Sequence, residues 1–174
     1  PQTSNLKLQT LMLKQLYQFL HPRFQNLFLE YKVDLKPRYG HGKPPHKLLY
    51  DIINSNRKEY AGLLNEATGF KEIFHSIKKR ENEHDPVKPA YNNGYLPGLD
   101  MVMLYTLMIH YKPQTYFEIG SGNSTQVAYK AVQENALSTK IISVDPAPRA
   151  EIDRIAGTII RKPFEDVDYE EIWY

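Results

Sequence analysis

Seven residues in two short runs have the types and spacing of a ligand site. Glu118, Gly120, Ser121, Gly122, Asn123 and Ser124 fall within Tyr116-Phe-Glu-Ile-Gly-Ser-Gly-Asn-Ser-Thr125, and Asp145 closes Ile141-Ile-Ser-Val-Asp. Their chemistry is that of holding a ligand. Glycines let a backbone approach a bound group closely, and a helix that starts there has unsatisfied N–H groups in its first turn. Strand, glycine turn, helix, second strand and terminal acid make half of a nucleotide-binding βαβ unit, so the ligand class is an adenosine-containing cofactor across the strand ends. Two departures shape that reading. The third glycine of the dinucleotide fingerprint is missing. Glu118 stands two positions before the first glycine, where a pyrophosphate would meet a like charge and a cationic ligand would be favoured.

Glu-Ile-Gly-Ser-Gly-Asn-Ser-Thr, with an apolar helix upstream and Ser-Val-Asp downstream, resembles the class I S-adenosylmethionine-dependent methyltransferases, in particular the bacterial branch whose loop reads Glu-Ile-Gly-x-Gly-x-Ser-Thr. The likeness covers residues 95–167. It implies S-adenosylmethionine as cofactor and methyl transfer to an acceptor, a small molecule, that the residues do not identify. It implies that the loop Gly120–Ser124 carries the methionine part, that Glu118 orders that loop, and that Asp145 accepts both ribose hydroxyls. An acid after the third strand would face the adenine amino group, and both Glu165 and Asp166 fall in that place. No catalytic acid or base is named by the likeness. Two rival functions remain: an NAD(P)-dependent oxidoreductase, and a non-catalytic cofactor-binding or assembly module.

Composition narrows the field further. The chain has 174 residues, 41% of them apolar, which suits a globular protein. The formal charge is +2, unevenly spread: residues 1–85 hold 14 Lys/Arg against 9 Asp/Glu, and residues 86–174 hold 8 against 11. No interleaving of basic and aromatic residues marks a nucleic-acid groove. Without cysteine there is no disulfide, thiolate metal site or cysteine nucleophile. His41, His46, His75 and His84 with Asp85 lack the spacing of metal ligands, so no metal is expected. No apolar run reaches membrane-spanning length and no signal pattern opens the chain, which predicts a cytoplasmic protein without membrane or nucleic-acid partners.

The elements that must position the site follow from periodicity and breakers. Leu13, Leu16, Leu20, Phe24, Leu27 and Tyr31 predict helix over 5–33 with a break near His21, because Pro22 has no N–H. Residues 35–46 are a Gly/Pro/His loop, within which Arg38–Lys47 is a mobile solvated stretch or a place for an acidic substrate. Helices are predicted at Lys47–Thr68, ended by Gly69, and at Phe70–Arg80. Residues 86–97 read as a linker whose Tyr91–Pro97 part folds over a cofactor or merely connects. Gly98–Tyr111 is an apolar helix with Leu99, Val102, Met103, Leu107 and Met108 inside, stopped by Pro113. Strands are predicted at Thr115–Ile119, Lys140–Asp145 and Thr158–Lys162, with helices at Ser124–Asn135 and Arg149–Ala156 between them and a further element at Tyr169–Tyr174.

The predicted fold is α/β: a helical region over 1–85, a linker over 86–97, and over 98–174 a partial Rossmann-like, doubly wound sheet. By the likeness these are strands one to three of a seven-stranded sheet in the order 3-2-1. The outer edge of strand one then lacks a partner and exposes apolar backbone, which predicts pairing with further residues of the protein or with a second copy.

Overall fold

The computed structural model describes residues 12–22, 24, 36–148, 151–168, 170 and 172. Contacts group the chain into two units, Pro1–Tyr50 and Asp51–Tyr174. In the first, helix α1 covers 12–20 and stops at His21, whose N–H reaches Tyr17 O at 2.9 Å. Pro22 cannot continue the ladder. The helix predicted over 5–11 and 25–33 lies outside the described residues. In the loop, Gly40 and Lys43 form an isolated antiparallel bridge and the rings of Tyr39 and His46 meet edge-on at 4.7 Å.

The single helix predicted over Lys47–Thr68 is two: α2 at Lys47–Ser55 and α3 at Arg57–Thr68. Short polar side chains at the junction compete with the backbone ladder. Ser55 Oγ donates to Ile52 O at 2.7 Å, and Asn54 Oδ1 accepts from Arg57 Nε at 2.9 Å. Helix α4, Lys71–Ser76, is shorter than predicted. Beyond it the backbone pairs with a distant segment: Tyr91 N–H donates to Lys78 O and Arg80 N–H to Tyr91 O, each at 2.8 Å. Arg80–Asn82 then forms one 3₁₀ turn.

Helix α5, Gly98–Tyr111, is the central support. Its buried residues are Met101, Tyr105, Thr106 and Met108, while Leu99, predicted to be inside, is 61% exposed. Two helical steps put Leu99 about 200° round from Met101, on the opposite face. Helix α6, Asn123–Glu134, packs against α5. Their core holds Ala67, Phe74, Met101, Tyr105, Met108, Val127, Ala128, Ala131, Val132 and Ile141. Phe74 meets Tyr105 edge-to-face at 5.5 Å.

Three parallel strands, β1 (Thr115–Ile119), β2 (Lys140–Val144) and β3 (Thr158–Ile160), lie with β2 in the middle. That is the predicted order. The register sets Glu118 opposite Ser143 and Ile119 opposite Val144. Among the described residues β1 pairs with β2 alone. The helix predicted at Arg149–Ala156 is absent from its described part: 151–156 contain a turn, closed by Ala156 N–H to Ile152 O at 2.9 Å. Glu151 Oε1 takes the Asp153 N–H, and the apolar anchors Ile152 and Ile155 sink into the interior instead of tracing a helical stripe. Strand β3 ends two residues early, ahead of Pro163. Val144, Ile160 and Ile172 form a second small core with Phe117 and Val167. The element predicted at Tyr169–Tyr174 lies largely outside the described residues. No described helix is long and apolar enough to cross a membrane.

Tyr105 gives the core a pH signature. Its hydroxyl donates to Glu134 Oε2 at 2.9 Å and accepts from Asn135 Nδ2 at 3.1 Å. Burial foremost, and then Glu134, push its pKa up to about 12, against an opposing pull from Asn135. Because the folded pKa is raised, this stabilisation is complete below the unfolded value near pH 10 and is lost as pH climbs towards about 12. Tyr105→Phe should cost about 1 kcal/mol at pH 8 and flatten the alkaline fall. Urea unfolding at pH 8 and pH 11 checks this; a variant whose stability falls as steeply as wild type refutes the assignment.

Candidate functional site

The site is built around Glu118, 8% exposed at the end of β1. Four hydroxyls surround its carboxylate. Thr125 Oγ1 and Ser143 Oγ donate to Oε1, the latter at 2.7 Å. Ser124 Oγ and Tyr116 OH donate to Oε2 at 2.8 and 3.2 Å. These donors come from β1, from the adjacent strand β2 and from the first turn of α6. Tyr116 can reach because residues two apart on a strand share a face. The hydroxyl donors stand in for water around the buried charge. Burial, followed by the Glu118 charge, raises the Tyr116 pKa, which keeps that hydroxyl a donor.

The turn follows directly. Gly120 has φ 79° and donates its N–H to Val144 O at 2.8 Å, carrying the parallel ladder one residue past β1. Gly122 has φ 147°, and its N–H donates to Thr125 Oγ1 at 2.9 Å. Thr125, fully buried, thus accepts from the loop and donates to Glu118. A Cβ placed on Gly120 would meet nothing within 4 Å, so the loop backbone there borders open space.

Across the turn, Asp145 follows β2, its N–H bound to Ile160 O at 3.0 Å. Its Oδ2 accepts from Ser121 N and Ser121 Oγ at 2.7 and 2.9 Å, and its Oδ1 from Ala147 N at 2.9 Å. The acid predicted at the second strand's end therefore contacts the glycine loop itself.

A cavity of about 620 Å³ opens here. Gly120, Ser121, Gly122, Asn123, Ser124 and Asp145 all line it. Of the predicted residues the structure brings together these six; Glu118 lies just behind them, turned to the hydroxyls. Glu165 and Asp166 are exposed on a separate 3₁₀ turn, Phe164–Asp166, away from the lining. The far wall is the segment read as a linker. Asn93 shapes it: Nδ2 donates to Ala90 O and Leu96 O at 2.9 and 3.1 Å, while Oδ1 accepts from Tyr95 N and Leu96 N at 2.9 and 2.7 Å. Gln126 Nε2 on α6 donates to Pro86 O at 2.6 Å and ties this strap to the loop's own helix. Tyr95 and Leu96, from the Tyr91–Pro97 stretch read as folding over a cofactor or merely connecting, line the cavity, as do Arg80 and Glu151, which were not singled out in the sequence. Among the described residues no group of three or more histidines and acids is placed to hold a metal.

Glu118→Ala should cost about 3 kcal/mol, since a charge-assisted acceptor shared by four donors disappears. Glu118→Gln should cost about 1 kcal/mol, because the amide carbonyl still accepts and the hydroxyls can turn to accept from its NH₂. Chemical denaturation measures both, and an alanine variant as stable as wild type would remove Glu118 from its structural role. No family model matches the chain, and no curated protein or solved structure matches it.

Proposed function

We propose that the Asp51–Tyr174 unit binds S-adenosylmethionine and that the protein transfers a methyl group to a small-molecule acceptor. One observation carries the reading: a single cavity of about 620 Å³ has the Gly120–Ser124 loop as one wall and the strand-end carboxylate Asp145 on the same lining. That volume suits a nucleoside-sized ligand. The open space beside Gly120 suits a ligand lying against bare backbone.

In this reading Asp145 receives the ribose diol. The Ser121 and Ala147 N–H groups keep its carboxylate oriented, and the freely rotating Ser121 hydroxyl yields its place to a ligand hydroxyl. Glu118 holds the loop's shape from behind. Asn93 and Gln126 hold the strap that screens the cavity from water. When bound, the cofactor supplies an electrophilic methyl group on a sulfonium. The chain's contribution to rate is then orientation and exclusion of water, with no general acid or base assigned. A nicotinamide dinucleotide is the weaker reading. The third glycine's position is taken by Thr125, whose hydroxyl is committed to Gly122 and Glu118.

Calorimetry with S-adenosylhomocysteine and with NAD tests this directly. Binding of the first alone supports the reading, and binding of NAD alone refutes it. Asp145→Ala should weaken S-adenosylhomocysteine by on the order of 2–4 kcal/mol. Gly120→Val should abolish binding while the fold persists, because its φ of 79° is strained for a β-branched residue and the added methyls enter the cavity. Unchanged affinity in both variants would place the ligand elsewhere. Cofactor binding without transfer to any acceptor would favour a non-catalytic module.

A further inference from the structure

We infer that Arg80, carried by the helical part of the chain, is the residue that holds the cofactor's amino-acid carboxylate; this rests on the S-adenosylmethionine reading above. Among the described residues that line the cavity Arg80 is the one cation, and the others include the acids Asp145 and Glu151. Among the described residues its guanidinium takes part in no ion pair and no hydrogen bond. Two acids that follow it in the chain are committed elsewhere. Glu83 Oε1 accepts the Asp85 N–H at 3.0 Å, and Asp85 accepts the Val87 N–H at 3.1 Å and pairs with Lys88 at 3.6 Å.

The Arg80 backbone is fixed, so the side chain starts from a defined place. Its N–H is bound to Tyr91 O at 2.8 Å, Tyr91 N–H returns to Lys78 O, and Tyr91 OH donates to Phe74 O at 3.1 Å. The same strap is tied to α6 through Gln126 and Pro86 O. A cation on the turn paired with the strap and carboxylates on the other lining elements give the cavity two electrical ends. S-adenosylmethionine carries a sulfonium, an ammonium and one carboxylate. The first two are repelled by a guanidinium, so the carboxylate alone matches Arg80, in the two-pronged geometry that arginine favours. The cofactor is thereby oriented, with its carboxylate at Arg80 and its ribose at Asp145.

The test compares two probes that differ only at the group in question. S-adenosylhomocysteine has the amino-acid carboxylate; 5′-methylthioadenosine keeps the adenosine and thioether and lacks it. With the full chain, Arg80→Gln should weaken S-adenosylhomocysteine about tenfold or more, the scale of one charge-assisted contact, and leave 5′-methylthioadenosine within about twofold. Arg80→Lys should recover part of the loss. The thermal midpoint without ligand should not move, as the side chain has no partner among the described residues to lose. Equal weakening of both probes, or none for S-adenosylhomocysteine, overturns the assignment while leaving the cofactor reading intact. Wild-type protein that binds neither probe overturns the cofactor reading itself.

Discussion

A buried carboxylate with four hydroxyl donors fixes the shape of this site. Glu118 collects Tyr116 from its own strand, Ser143 from the strand beside it, and Ser124 and Thr125 from the helix that follows. Burying a charge is costly unless its hydrogen bonds are replaced, and here they are. The requirement runs outward from that point. The parallel register must set Glu118 against Ser143, and the turn must bring the start of α6 back over β1. Gly120 and Gly122, both at positive φ, make that return possible. Thr125 relays the constraint into the loop by accepting the Gly122 N–H.

What the sequence disclosed was local. The glycine loop, the three strands and the strand-end acid follow from residues close in the chain, where spacing and periodicity carry information, while the strand order was implied by the family likeness. What it withheld came from distant partners. Nothing in Tyr116–Thr125 shows that Ser143 completes the Glu118 shell, or that Asp145 closes onto Ser121. The break at Asn56 hid inside a continuous apolar pattern, because Ser55 and Asn54 act through side-chain bonds that periodicity does not register. The helix predicted between β2 and β3 failed for a related reason. Ile152 and Ile155 supply helix-like spacing, yet they are anchors of a turn. Leu99 was placed inside because α5 is apolar nearly all round, leaving only angle to separate its faces.

The change at residue 86 is one of composition. The proline-rich strap pairs through Tyr91 with the residues after α4, so helical region and sheet meet on one cavity wall. Its shape depends on one amide: Asn93 organises both flanks of the bend. The proposed cofactor site is thus a shared product of two segments that differ in composition and charge, with the basic segment supplying its cation and the acidic one its carboxylates.

Strand β3 is the lightest part of the sheet, three residues long and backed by the small cluster of Val144, Ile160 and Ile172. The Asp145 N–H is bound to the last residue of that strand. Local opening free energies follow contact density, so the sheet loosens first from this side. When β3 frays, the backbone that aims the Asp145 carboxylate loses its anchor. Occupancy of the cavity and protection of the strand would then be thermodynamically linked: a ligand held by Asp145 would suppress fraying, and loosening of β3 would weaken its hold.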